Sequence, residues 1–101
     1  MQTANKTEAS IEQTLVDRVR ESGGLAFKWV SPAMSGVPDR IVVMPGGRIV
    51  FVELKRLGER LRPLQARVHQ MLAELGADVR VIDSVEAIDR MLEQVIAGGG
   101  R

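Results

Sequence analysis

Apolar positions change their period several times along the chain, and each change marks an element. After Thr7, a suitable N-cap followed by Glu8 in the first turn, Ile11, Leu15 and Val19 recur at helical spacing with Val16 beside them. Gly23-Gly24 ends that helix, and Leu25 to Val30 reads as a strand. Ser31 to Pro38 holds Pro32, Gly36 and Pro38 and is a turn-rich loop. Asp39–Met44 and Arg48–Leu54 are β-branched runs separated by Pro45-Gly46-Gly47, the pattern of a hairpin with a short glycine-containing loop. Ile41, Val43, Ile49 and Phe51 share one face of that hairpin, and Val42, Met44, Val50 and Val52 the other. With both faces apolar, helices are expected on either side of the sheet.

Pro63 suits the first turn of a second helix with apolar positions Leu64, Val68, Met71, Leu72 and Leu75, closed by Gly76. Asp78 to Asp83 is a short strand, Ser84 caps the last helix, and Ile88, Leu92, Val95 and Ile96 form its stripe. The order is αβββαβα. The strand–helix–strand crossover over 48–83 makes its two strands parallel, so the class is α/β with a mixed four-stranded sheet flanked by helices. The 101 residues suit one domain, expected over 1–97, with a flexible Gly-rich tail at 98–101.

Composition narrows the chemistry. The chain has no cysteine, which removes disulfide scaffolds, thiolate zinc sites and cysteine nucleophiles. Its single histidine, His69, removes His-rich metal sites and reads as a packing or surface residue. MQTANK lacks the apolar core of a signal peptide and no apolar run approaches the ~18 residues of a membrane span, so a cytoplasmic protein is expected. Net charge is only +1, yet Lys55, Arg56, Arg60, Arg62 and Arg67 outweigh Glu59 by four charges, and residues 68–101 carry three arginines against six acids. Arginine outnumbers lysine 11 to 3, which favours a partner with phosphate oxygens, although a basic block is also an ordinary solvated face.

The hairpin contains the chemistry. If Met44 pairs with Arg48 across the turn, Asp39 falls opposite Glu53, and Lys55 lies two residues on, on the same face. Facing carboxylates repel, and a hard divalent cation between them answers that repulsion. A slip of one residue would put the two acids on opposite faces. Glu-x-Lys on a strand and Asp after Pro are each common alone.

Gly36-Val37-Pro38-Asp39, then Glu53-Leu54-Lys55, then Pro63-Leu64-Gln65, in this αβββαβα order, resembles the PD-(D/E)XK (restriction-endonuclease-like) nuclease superfamily. It is most similar to the VRR-NUC (virus-type replication-repair nuclease) family in its small stand-alone phage and bacterial form, from about Ile11 to Leu92. The resemblance implies an endonuclease that uses Mg2+ or Mn2+ to hydrolyse DNA phosphodiester bonds, leaving 5′-phosphate and 3′-hydroxyl ends. It further implies a homodimer acting on branched DNA such as four-way (Holliday) junctions, in a bacterial host cell with a phage or prophage origin. Asp39 and Glu53 would be metal ligands with the backbone carbonyl of Leu54, and Lys55 the catalytic lysine. Gln65 matches the family's helix glutamine, and a first-turn glutamine also caps its own helix. Glu12 matches the first-helix acid and would join the metal set, with Glu8 one turn earlier as the alternative. Arg56, Arg60 and Arg62 are candidate phosphate contacts. The loop Ala33-Met34-Ser35 lacks the basic residues that many relatives carry there. No membrane and no small-molecule cofactor is expected. The other reading is a catalytically idle nucleic-acid-binding module of a larger phage complex, which needs the arginines and not the carboxylates; a purely structural assembly protein needs neither.

Overall fold

A computed structural model describes residues 7–98 of the chain. Helix α1 (Glu8–Glu21) starts at Thr7, whose hydroxyl accepts from the Ser10 amide at 3.0 Å. It is followed by β1 (Leu25–Lys28), β2 (Arg40–Met44), β3 (Arg48–Leu54), α2 (Pro63–Glu74), β4 (Val79–Ile82) and α3 (Val85–Gly98). Ser84 caps α3 by accepting from the Ala87 amide at 3.1 Å. The strands lie in the order β1-β2-β3-β4, antiparallel except for the parallel β3/β4 pair that the α2 crossover creates. The αβββαβα order and the mixed four-stranded sheet are as the sequence implies. Gly99, Gly100 and Arg101 of the expected tail lie outside the described residues, while Gly98 is the last residue of α3.

The hairpin register follows Met44↔Arg48 through to Arg40↔Val52, which is the register read from the turn. Its connection, Pro45–Gly47, needs φ of +86° at Gly46 and +82° at Gly47, a region a side chain would strain. Gly24 answers a different demand. A Cβ there would sit 2.5 Å from the Val43 carbonyl oxygen, so only a bare Cα lets the chain turn from α1 into β1 against β2.

The core lies on one face of the sheet only. Ile11, Leu15 and Val19 of α1 and Ile88, Met91, Leu92 and Val95 of α3 cover Val42, Met44, Val50, Val52, Leu54 and Ile82. The opposite face is not covered across its width, contrary to the expectation of helices on both sides: Leu25 and Phe27 are each 51% exposed and Ile49 is 47% exposed. Helix α2 reaches only the β3/β4 part of it. Two stripes change accordingly. In α2 Val68 and His69 are buried while Leu64, Met71 and Leu75 are exposed, and in α3 Met91 takes the place expected for Ile96. Trp29 is half-buried on the open face, tilted against Phe51 at a ring separation of 5.3 Å. The result is a plate whose shortest dimension is 20 Å, one helical layer on one sheet, with α2 at a corner.

Candidate active site

Asp39 sits where β2 joins two strands at once. Its backbone carbonyl accepts from the Trp29 amide at 2.9 Å, and its side-chain Oδ2 accepts from the Leu54 amide at 2.8 Å. The carboxylate thus replaces a main-chain acceptor and extends the β2/β3 ladder by one rung, directly beside Glu53. The preceding loop holds it there. Gly36 (φ +89°) packs so close to the first turn of α2 that a Cβ would meet the Leu64 carbonyl oxygen at 3.0 Å, and Pro38 is buried.

Glu53, 2% exposed, and Lys55, 3% exposed, project from the end of β3 onto the same face. The Lys55 amide donates to the Ile82 carbonyl at 3.0 Å, which fixes the strand end, and its Nζ lies 3.8 Å from Glu53 Oε2. Gln65 bridges helix and strand: its Oε1 accepts from the Arg62 amide at 2.9 Å and its Nε2 donates to Glu53 Oε2 at 3.0 Å. Capping and site contact, alternatives in the sequence, are the two ends of one amide. Burial, and then the charge of Asp39, push the Glu53 carboxyl up to about 7, opposed by Lys55. The second Glu53 oxygen, Oε1, is buried without a hydrogen-bond partner.

His69 was expected to be a packing or surface residue. It is buried one turn after Gln65, with Nε2 3.8 Å from Glu53 Oε1 and no hydrogen bond of its own. Burial holds its imidazole below the ordinary range, towards the neutral form. The four-residue spacing from Gln65 carried this neighbourhood in the sequence, since such residues share a helix face.

The two acids of α1 separate. Glu12 Oε2 accepts from Arg40 Nε at 2.8 Å and lies 3.4 Å from Lys28 Nζ, so its carboxylate is engaged at the sheet's covered side. Glu8 is the α1 carboxylate that interacts with the pair: its pKa is raised by burial and then by the charge of Asp39, and it in turn raises Glu53. Arg56, Arg60 and Arg62 are exposed on the segment between β3 and α2, and among the described residues their guanidinium groups make no ion pair. A reciprocal pair of bonds between Arg56 and Glu59, 2.9 and 3.0 Å, shapes that segment.

The donor set suits a hard cation that keeps part of its water. Among the described residues no three acidic or histidine side chains already converge as a cage. What is present is two adjacent carboxylates, one of them raised to about 7 by burial and then by the charge of the other, with a main-chain carbonyl between Glu53 and Lys55. Magnesium is commonly held by one or two carboxylates, waters and substrate phosphate, so the residues fit.

Buried Glu53 and Lys55 beside half-buried Asp39, at the open end of a β-hairpin on a mixed α/β sheet, define a nuclease-type domain. The VRR-NUC domain family matches residues 5–86, and the chain belongs to that family. It is 53% identical over 77 residues, 76% of this chain and 83% of the other, to the "Putative nuclease p44" of Acyrthosiphon pisum secondary endosymbiont phage 1. A solved VRR-NUC domain superposes with a TM-score of 0.81 at 33% identity, covering 85% of this chain and 94% of that one.

Proposed function

We propose that the protein is a divalent-metal-dependent DNA endonuclease that hydrolyses phosphodiester bonds, selects branched DNA and acts as a homodimer. The observation that carries the reaction is the burial of Glu53 and Lys55 beside Asp39, all on one end of the sheet. Asp39, Glu53 and the Leu54 carbonyl would hold Mg2+ or Mn2+, with Glu8 the α1 acid nearest to them in charge. Such an ion supplies charge for the pentavalent transition state and acidifies a bound water. Gln65 fixes one Glu53 oxygen and so the direction of the other. The Lys55 ammonium, kept from water, would offset charge developing on the scissile phosphate. Water oxygen bonds to phosphorus, the bond to the 3′-oxygen breaks, and that oxygen takes a proton to leave a 3′-hydroxyl and a 5′-phosphate. Arg56, Arg60 and Arg62 would bind the flanking backbone phosphates.

The test is cleavage of labelled four-way junction, flap, linear duplex and single-stranded DNA in Mg2+, Mn2+ or EDTA. Wild-type protein is expected to cut only with metal, and junctions before linear duplex. Asp39→Ala is expected to lower the rate by on the order of 100-fold or more while keeping DNA binding. Binding of junction DNA in EDTA with no cleavage in any metal would replace this reading with an idle nucleic-acid-binding module.

A further inference from the structure

Two buried polar atoms, Glu53 Oε1 and His69 Nε2, lie 3.8 Å apart, and neither has a hydrogen-bond partner. Leaving such atoms unpaired costs free energy that a leucine at position 69 would not incur. A contact that the two make with each other explains the imidazole better than packing does. The other oxygen of the same carboxylate is already held. Gln65 donates from Nε2 to Glu53 Oε2 at 3.0 Å, and its own Oε1 accepts from the Arg62 amide, which fixes the direction of the side-chain amide. Gln65 and His69 stand four residues apart on α2 and share one helix face. A single helix thus brings one donor to each oxygen of Glu53.

We infer that His69 is a positioning residue: its Nε2–H donates to Glu53 Oε1 and, with Gln65 on Oε2, orients the carboxylate for a divalent cation. The inference rests on the metal-dependent reading above and adds a residue to it. A carboxylate that holds a cation is ionised and only accepts hydrogen bonds, so it selects the imidazole tautomer with its proton on Nε2. The 3.8 Å separation exceeds the ~2.7–3.2 Å of an N–H···O bond by less than about 1 Å, within reach of small side-chain rotations. Hydrogen bonds of reactive sites commonly tighten in this way as the reacting groups assemble. Lys55 does not compete for the place, because its Nζ approaches Oε2 and not Oε1. Outer partners that orient a ligand side chain typically set metal affinity by roughly 10–100-fold. His69 acts through Glu53 and not on the scissile bond.

The test is Mn2+ binding by the full chain without DNA, read from the electron paramagnetic resonance of free Mn2+, for wild type, His69→Leu and His69→Gln. Leucine fills the place and removes the donor, whereas glutamine returns an N–H close to the position of Nε2. His69→Leu is expected to bind Mn2+ roughly 10–100-fold more weakly, and His69→Gln to recover to within about 3-fold of wild type. The Leu variant is expected to melt in EDTA no lower than wild type, which separates positioning from a structural role. Wild-type affinity in His69→Leu, or equal weakening in both folded variants, overturns the assignment. Should the variants misfold, the wild-type chain answers by itself, because His69 is its only histidine and the nitrogen-15 signals of the ring are unambiguous. With saturating Mg2+, a proton on Nε2 protected from solvent exchange supports the contact, and a proton on Nδ1 alone overturns it. A wild type that binds no Mn2+ overturns this inference and the metal-dependent reading together. Cleavage is measured separately, so a chain whose Mn2+ affinity depends on His69 but which cuts no DNA rejects the nuclease reading and leaves this one standing.

Discussion

Keeping Glu53 dry beside Asp39 works against folding and for chemistry. A carboxyl raised from its ordinary 4.5 to about 7 holds its proton better in the folded state than in the unfolded chain. The stability this adds is complete below about pH 4.5 and is lost as pH rises through about 7. Above that, the folded protein carries an unfavourable buried charge, which a bound cation offsets, so metal binding is expected to release a proton near neutrality. Glu53→Gln removes the charge and keeps both polar ends for Gln65 and His69. In EDTA at pH 8 that variant is expected to be more stable than wild type by about 2–3 kcal/mol, with the difference vanishing near pH 4.5. Its cleavage activity should be lost. Thermal melts of both proteins at pH 4.5, 6 and 8 check this, and an equal gain at every pH would mean that Glu53 is not held near 7.

At the scale of elements, the hairpin was the most legible part of the chain. A three-residue turn ending at Arg48 admits one register that buries Val42, Val50 and Val52 together, and that register puts Asp39 beside Glu53. Helix ends were legible for the same local reason, since Thr7, Ser84 and Pro63 act on their own turns. The helices' outer contacts were not. Periodicity shows that a helix has an apolar side and not how much of it a partner covers, which is how Leu64, Met71 and Leu75 came to be exposed while His69 is buried. Nor does spacing decide between Glu8 and Glu12, one turn apart; the bond from Arg40, on another strand, to Glu12 supports Glu8 as the acid to test first. Glu8→Gln is therefore expected to weaken metal activation of cleavage, raising the Mg2+ concentration for half-maximal rate by roughly 10-fold, with little change in Tm. Glu12→Gln should act the other way round. Losing a partly buried charge-assisted pair to Arg40 costs about 1–3 kcal/mol, with Mg2+ dependence unchanged. Magnesium titrations and melts of the two variants distinguish the roles, and an identical Mg2+ shift in both would assign the acids together.

Over the whole molecule, charge and apolar surface are segregated to different places. The α1/α3 side is closed by ion pairs such as Arg18 with Asp89, and Asp78 is shared by Arg80 at 2.9 Å and Arg48 at 3.2 Å, which hold its carboxyl below the usual range. The arginines of the β3–α2 segment have no such partners among the described residues, and they flank the carboxylate site at the N-terminal end of α2. A chain of net charge +1 binds a polyanion through such a local excess rather than through its total. Each arginine that neutralises a phosphate releases counterions and adds about 0.9 to the slope of log affinity against log salt on duplex DNA. Changing Arg56, Arg60 and Arg62 together to alanine is therefore expected to reduce that slope by about 2–3, to weaken binding alike for every sequence, and to leave the cleavage rate of saturated DNA nearly intact. Arg90→Ala, exposed on α3, should leave the slope unchanged. Binding isotherms in EDTA between 50 and 200 mM salt provide the measurement. A slope that the triple variant does not alter would move the phosphate contacts off this segment.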